Sequence, residues 1–472
     1  AWPPTFIETP DGHRAEWDYI DHRGAAAVVP VLDDGRLLMV RQYRDALDRE
    51  TIEIPAGGLN GWDEPTINAA ARELEEETGY RSDNLTKLVS VVTAVAFCNE
   101  VVDVYLATDL VKTSQHLDED EFIDVEKYTP IQKSHEAYLK ELMEYCKDTP
   151  RHPSYHIHPP CGLVNDPNGL AYFGGKYHVF YQWFPFGPEH GMKHWAHVIS
   201  EDLVKWEWSD QMLIPDQEYE KNGCYSGNSI EADGKLYLYY TANYKTEQGK
   251  IPKQAMAVMN SDGTILKSPN NPIIDEQPEG LIGEIRDPFV FEKEGAYWML
   301  LGGGSIDGQA RLILYKSTDL ENWVYQGNIE LTGIDLELGY MYECPSYIEI
   351  DGKDVLFLSL MGRTPMGERF HNEFSSVYFI GELNLEDKTF HVESFDEIDK
   401  GFDFYAPQTM LAPDGRRILI GWMQNLASVN QHSEKEPWFG QMTIPRELSV
   451  KKGRLIQRPV RELDACRHNM VL

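Results

Sequence analysis

Gly174-Gly-Lys-Tyr-His-Val-Phe-Tyr181 is a tight turn followed by a β-branched and aromatic strand. The same unit returns as Asp233-Gly-Lys-Leu-Tyr-Leu-Tyr-Tyr240, Glu294-Gly-Ala-Tyr-Trp-Met-Leu-Leu301, Asp351-Gly-Lys-Asp-Val-Leu-Phe-Leu358 and Asp414-Gly-Arg-Arg-Ile-Leu-Ile-Gly421. The second turn residue falls at 175, 234, 295, 352 and 415, giving steps of 59, 61, 57 and 63 residues. A Ser-x-Asp-Leu-x-x-Trp element also occurs twice, at Ser200–Trp206 and Ser317–Trp323. Nearly equal steps predict one four-stranded sheet per repeat and radial closure into an all-β five-bladed propeller. A β-sandwich with look-alike hairpins is the competing fold.

Polar clusters lie just upstream of these hairpins: Asn165-Asp166-Pro-Asn-Gly169, Ser226-Gly-Asn228, Arg286-Asp287-Pro288, Glu343-Cys-Pro345 and Asp403-Phe-Tyr-Ala406. Asp166, Ser226, Asp287 and Glu343 precede their turn residue by 9, 8, 8 and 9 positions. The first strand of each propeller blade lines the central channel, so this offset places three carboxylates and Arg286 at one depth around one axis. Carboxylates held together raise one another's pKa, which suits one as an acid and another as a nucleophile. Trp183, Trp195, Tyr225 and Tyr405 are nearby aromatics suited to stacking on a sugar ring. Taken singly, each Asp-Pro or Asp-Gly unit also reads as a simple turn.

Together with Phe180-Tyr-Gln182, His194-Trp-Ala-His197, Tyr240-Thr-Ala-Asn243 and Ile444-Pro-Arg-Glu-Leu448, these motifs resemble glycoside hydrolase family 32 over about residues 150–463. The resemblance implies a retaining β-fructofuranosidase that needs no cofactor. Asp166 would be the nucleophile, Glu343 the acid/base and Asp287 the transition-state stabiliser. Asn165, Gln182 and Arg286 would bind fructose hydroxyls, with Trp195, Ser226, Asp403 and Tyr405 completing the sugar site. Leu163-Val164, His190 and Ser346 stand where the family usually has Trp-Met, Trp and Asp. The C-terminal β-sandwich common in the family is expected to be missing.

Near the other end, Gly58-Leu-Asn-Gly-Trp-Asp-Glu64-Pro-Thr-Ile-Asn-Ala-Ala-Ala-Arg72-Glu73-Leu-Glu-Glu76-Glu77-Thr-Gly79-Tyr80 predicts a helix over 65–78 stopped by Gly79. Glu73, Glu76 and Glu77 at i, i+3 and i+4 share one face. Such hard oxygen donors suit Mg²⁺ or Mn²⁺, the alternative being a solvated acidic face. The whole spacing, Gly-x5-Glu-x7-Arg-Glu-Leu-x-Glu-Glu-x-Gly-Tyr, resembles the Nudix box, and the resemblance covers about 1–128. It implies an α/β/α sandwich that hydrolyses a nucleoside diphosphate linked to another moiety. Glu73, Glu76 and Glu77 would hold the divalent metals with the carbonyl of Gly57, and Arg72 would orient the glutamates. His22-Arg-Gly24, Arg41-Gln-Tyr-Arg44 and Glu53-Ile-Pro-Ala-Gly57 resemble the ADP-sugar pyrophosphatase branch, with Arg41 and Arg44 as diphosphate contacts. Ala94-Val-Ala-Phe-Cys-Asn-Glu100 replaces a Pro-Gly loop usual in that family, and its Glu100 is the candidate base.

Between these regions, 129–150 reads as a helical linker. Ser134 is its candidate N-cap, and Tyr138, Leu139, Leu142, Met143 and Cys146 form its apolar face. The expected division is therefore 1–128, 129–150 and 151–472, in keeping with a chain of 472 residues. Forty-three basic against 77 acidic side chains give −34, which argues against a nucleic-acid or anionic-membrane partner. No apolar run reaches the roughly 20 residues of a membrane span, and Ala1-Trp-Pro-Pro4 shows no uncleaved signal peptide. The six cysteines lack any CxxC spacing, so free thiols in a cytoplasmic protein are expected.

The expected partners are small sugars and nucleotide sugars, with oligomerisation left open. Sucrose 6-phosphate ranks ahead of sucrose and short fructo-oligosaccharides, its phosphate meeting Lys193, His190 and His194 in one loop. A Nudix unit that only senses nucleotide sugar, and a nonenzymatic carbohydrate-binding propeller, are the alternatives.

Overall fold

The computed structural model describes residues 5–467 apart from 9–10, 12, 18–19, 32–36, 45–48, 94–97, 113–129, 148, 150–152, 247–248, 335–337 and 429–436. Two compact units divide the chain, Ala1–Lys127 and Tyr128–Leu472.

In the second unit each hairpin motif becomes the turn between the first two strands of a four-stranded blade. The inner strands are Gly162–Phe173, Ser229–Ala232, Leu281–Lys293, Met341–Ile350 and Tyr405–Leu411, for blades I to V. The recurring Asp-Gly has a backbone cause. Asp233, Glu294 and Asp351 have φ near +50°, and Gly234, Gly295 and Gly352 near +70°. Two successive left-handed residues make the type I′ turn whose twist matches the paired strands. The Ser-x-Asp-Leu-x-x-Trp elements are equivalent loops after the third strands of blades I and III. In each the Asp accepts local backbone N–H groups, and Leu203 (φ 61°) or Leu320 (φ 68°) turns left-handed.

Closure of the ring is visible in the cores. Five buried clusters each join two successive blades: Phe180 and Trp195 meet Leu238 and Tyr240 between I and II, and comparable sets join II to III, III to IV, IV to V and V to I. The outer strands Val324–Thr332 and Thr389–Glu397 pair in parallel, fusing blades III and IV into one eight-stranded sheet. Trp438–Phe439, after the second strand of blade V, pairs in parallel with Gly162-Leu163 of blade I.

The expected linker is built into this unit. Helix α2, Glu136–Lys147, buries Leu139 and Cys146 in the cluster between blades V and I, with Leu142 and Met143 partly buried against it. Tyr138, assigned to that apolar face, is half-exposed instead. Ser134 lies inside a 3-10 turn, Lys133–His135, that Gln132 and His135 cap reciprocally, so it is not the N-cap. The Ile131 N–H also donates to His194 Nε2 at 3.0 Å, tying the segment before the helix to blade I.

The first unit has a four-stranded mixed sheet. Ala25–Pro30 runs parallel to Val101–Thr108 and antiparallel to Ala56–Gly58, while Asn84–Val92 pairs antiparallel with Val101–Thr108 at the edge. Helix α1, Thr66–Thr78, lays Ala69, Ala70 and Leu74 on Ala26, Val28, Tyr105 and Ala107. Its small residues allow the helix to lie close to the sheet. Gly79, at φ 67°, donates its N–H to the Glu75 carbonyl and ends the helix. Of the α/β/α sandwich, the described residues show the sheet and the α1 layer.

Candidate active sites

Four inner strands of the propeller break register where the polar motifs lie, between Val164 and Pro167, Arg286 and Phe289, Glu343 and Ser346, and Tyr405 and Gln408. Asp287 (φ 63°), Cys344 (φ 45°) and Ala406 (φ 49°) are left-handed there despite carrying side chains. A bulge adds a residue, twists the strand and re-aims a side chain, here toward the axis. Blade II achieves the same close approach with Gly227, where a Cβ would lie 1.9 Å from the Tyr239 carbonyl oxygen.

These bends open a cavity of about 250 Å³ lined by Asn165, Asp166, Gln182, Arg286, Asp287, Glu343 and Tyr405, with His190, Lys193, Lys245 and Lys250 among its other walls. Asp166 is half-buried; Asp287 and Glu343 are buried. A fixed relay holds Asp166: Asn165 Nδ2 donates to Gln182 Oε1 (2.5 Å), Gln182 Nε2 to Ser226 Oγ (2.7 Å), and Ser226 Oγ to Asp166 Oδ2 (2.5 Å). Asp287 Oδ2 accepts the Cys344 N–H at 2.9 Å, and the Asp287 N–H donates to Thr241 Oγ1 at 3.0 Å. Glu343 Oε1 receives Arg286 Nε at 2.8 Å and Nη2 at 2.7 Å, and its Oε2 receives the Tyr405 hydroxyl at 2.6 Å.

The electrostatics follow from three carboxylates crowded at one cavity, with Arg286 set against Glu343 and Asp287. Burial is the main force raising Asp166 above the usual carboxylate range; the Ser226 hydrogen bond opposes it, and Glu343 adds to it. Asp287 is likewise raised by burial first and by Glu343 next, against the pull of Arg286. Burial disfavours the charged form of Arg286, but Glu343, Asp287 and Glu284 outweigh it and keep the guanidinium protonated. Protons in such a cluster belong to the group as a whole. The arrangement supplies a fixed carboxylate and a second, Tyr-bonded and Arg-bonded carboxyl facing one small polar space.

Several expected sugar contacts lie elsewhere. Trp195 is fully buried between blades I and II, its Nε1 donating to the Tyr225 carbonyl at 2.9 Å, so its ring is not available for stacking. Trp183 is equally buried, in the cluster between blades V and I. Asp403 is exposed and accepts the Ser428 hydroxyl at 2.9 Å, and it is not one of the residues lining the cavity. Ser226 is fully buried and acts through Asp166. His194 is no cation for a phosphate: burial pushes it down to about 3, and its Nε2 accepts the Ile131 N–H. Lys245, Lys250, Thr241 and Glu284 also stand at the site without a sequence signal of their own. Thr241 lies inside a quoted motif, whereas the lysines and Glu284 have no phase in the repeat.

In the first unit, α1 carries its carboxylates against the Ala56–Gly58 strand. Arg72 Nη1 donates to Glu73 Oε1 (2.7 Å) and Glu76 Oε2 (2.9 Å), and Nη2 to the Gly58 carbonyl (3.0 Å). The Ala56 N–H donates to Glu77 Oε2 at 3.0 Å. A Cβ on Gly57 would fall 2.0 Å from the Glu73 carboxylate, so any larger residue there displaces that carboxylate from its present place. Glu73 and Glu77 are buried and Glu76 is half-buried. Glu73 and Glu76 around one guanidinium, with Glu77 one helical turn on from Glu73, are a donor set that fits a hard divalent cation. Among the described residues, however, no three donors are already arranged around a metal position. Glu100 accepts the Thr93 hydroxyl and lies 3.5 Å from His22 Nδ1. The side chains of Arg41 and Arg44 lie outside the described residues, as do 94–97 of the altered loop.

The pattern described as the glycosyl hydrolases family 32 N-terminal domain matches residues 156–459, and that of the NUDIX domain matches 21–146. The chain belongs to glycosyl hydrolase family 32. It carries a Nudix domain ahead of the family 32 propeller and is a hydrolase. Sucrose-6-phosphate hydrolase of Staphylococcus xylosus is 39% identical over 350 residues, 74% of this chain and 70% of that protein. The enzyme of the same name from Bacillus subtilis (strain 168) is 39% identical over 328 residues, 68% and 67% of the two chains. Among solved structures, sucrose-6-phosphate hydrolase from Lactobacillus gasseri superposes with a TM-score of 0.69 at 35% identity, covering 73% of this chain and 70% of that one. A family 32 β-fructofuranosidase from Bombyx mori gives 0.64 at 33% identity, covering 72% of each.

Proposed function

We propose that the propeller hydrolyses β-fructofuranosides with retention of configuration, sucrose 6-phosphate ahead of sucrose and short fructo-oligosaccharides. The observation that carries this reading is that Asp166, Asp287 and Glu343 line one cavity together with Lys193, Lys245, Lys250 and His190. In a protein of net charge −34, basic groups gathered at a sugar-sized site suit an anionic substituent on the substrate. Glu343 gives its proton to the glycosidic oxygen while Asp166, aimed by Ser226, attacks the anomeric carbon. Water, deprotonated by the same Glu343, then releases fructose. Arg286, Asn165 and Gln182 hold the fructosyl hydroxyls, Tyr405 fixes Glu343, and Asp287 stabilises the transition state. The test is kcat/KM of the purified protein for sucrose 6-phosphate and for sucrose; equality, or a preference for sucrose, rejects the phosphate preference.

The Nudix unit is assigned hydrolysis of a nucleoside diphosphate linked to a sugar. Glu73, Glu76, Glu77 and the Gly57 carbonyl would hold Mg²⁺ or Mn²⁺, with Arg72 positioning the glutamates. The metal, when bound, supplies charge neutralisation of the diphosphate and activation of water. Glu100, Arg41 and Arg44 remain the candidate base and diphosphate contacts. A second reading, a unit that binds nucleotide sugar without turnover, draws on the hold of Arg72 on Glu73 and Glu76. ADP-ribose turnover under Mg²⁺ titration separates the two. The free state of all six cysteines supports a cytoplasmic protein.

A further inference from the structure

Lys245-Thr246 and Gly249-Lys250 form a short antiparallel ladder, and both lysines line the propeller cavity. Lys250 Nζ lies 2.7 Å from Glu284 Oε1. Glu284 Oε2 holds Arg286 Nη1, and the other two nitrogens of Arg286 hold Glu343. Charges therefore alternate from the cavity wall to the acid/base carboxyl: Lys250, Glu284, Arg286, Glu343. Among the described residues, Glu284 is the group in contact with both Lys250 and Arg286.

We propose that Glu284 is a positioning residue that transmits anion binding at Lys250 to Arg286 and, through it, to Glu343. This rests on the phosphorylated-substrate reading above. A phosphate beside Lys250 takes up part of the ammonium's field and some of its N–H donors. Glu284, less engaged by Lys250, binds Arg286 more firmly. Arg286 then holds Glu343 less firmly, and the protonated form needed to release the leaving group is favoured. The other titratable groups around Glu343 are Asp166, Asp287, Cys344, Tyr405 and Tyr340. Among the described residues the ion-pair partner of Lys250 is Glu284. Burial, followed by the neighbouring Lys250, holds Lys245 below the usual lysine value, so an anion at this wall relieves a repulsion as well.

The experiment is the pH dependence of kcat for sucrose 6-phosphate and for sucrose, in the unchanged protein, in Glu284→Gln and in Lys250→Met. In the unchanged protein the alkaline limb for the phosphorylated substrate should lie about half a pH unit higher than for sucrose. In Glu284→Gln the two limbs should coincide while the melting temperature shows a folded protein. Lys250→Met, which frees Glu284 for either substrate, should merge the limbs by raising that for sucrose, and should raise KM for the phosphorylated substrate more than for sucrose. An offset that survives in either variant overturns the coupling. A preference for sucrose 6-phosphate with coincident limbs in the unchanged protein sinks the coupling and leaves the substrate reading standing. The absence of any preference removes both.

Discussion

The two carboxylate clusters of this chain are assembled in opposite ways. In the Nudix unit, Glu73, Glu76 and Glu77 come from five consecutive residues of one helix, and their cation, Arg72, is the adjacent residue. In the propeller, Asp166, Asp287 and Glu343 come from three blades, and Arg286 reaches Glu343 across a blade boundary. The local cluster is half open: Arg72 keeps a quarter of its side-chain exposure, whereas Arg286 keeps 14%. Helical periodicity alone brings the first set together. The second exists only when the ring closes, and its burial is what raises Asp166 and Asp287. Carboxyl groups raised by burial and by one another suit acid and nucleophile chemistry themselves, while a helix face of glutamates beside a quarter-exposed arginine suits ligation of a cation.

The largest expected effect tests the ring-assembled cluster. Asp166→Asn or Glu343→Gln should lower fructose release by at least ~10³-fold with an unchanged melting temperature. A loss under tenfold, measured by released fructose, would break the assignment of bond-making roles to these residues. Next comes chelation. EDTA should leave fructoside hydrolysis intact and lower nucleotide-sugar hydrolysis at least ~100-fold, with Glu76→Gln reproducing the second effect. If sugar hydrolysis also falls, the two clusters do not divide their chemistry as described.

Stability sharpens the same contrast. Arg286→Met leaves buried carboxylates without their cation and should cost about 3 kcal/mol in urea unfolding. Arg72→Met, at a partly exposed site, should cost under about 1 kcal/mol. Equal costs would show that burial does not separate the two sites. The smallest effect is a pH dependence. Asp287 has a raised value in the folded protein, so its proton stabilises the fold fully below the ordinary Asp value. That contribution is lost as pH rises through the raised value. Asp287→Asn should therefore raise the melting temperature on the order of 2 °C at pH 8 and leave it nearly unchanged at pH 3.5. The buried histidines act with the opposite sign. His194 and His197, each pushed down to about 3 by burial, favour the fold above pH 6.5, and the advantage fades as pH falls.

Periodicity and motif spacing made the propeller, the box helix and the converging Asp166, Asp287 and Glu343 legible, because each rests on a local rule repeated at fixed phase. Turn chemistry marks a hairpin wherever two left-handed residues are needed. A heptad-scale spacing marks a helix face. Burial is not such a local property. Trp195 and Trp183 look like platforms in sequence, yet both are spent between blades. His194 looks like a cation and is a neutral acceptor for the Ile131 N–H. Tyr138 lies at apolar helical spacing but is exposed, because the edge of α2 set against blades V and I is that of Leu139, Leu142, Met143 and Cys146.

The sequence by itself determined the repeat, the turns, the identity of the carboxylates and the helix that gathers the glutamates, since these depend on neighbours within a few residues. Tertiary structure alone decided which aromatics are hidden, which blade supplies Arg286 to Glu343, and that Lys250 and Glu284 join the same line of charges. Those outcomes depend on ring closure, which brings together side chains more than thirty residues apart and withdraws Asp287 and Glu343 from water. Only there does a charge feel its partner strongly enough for position to become chemistry.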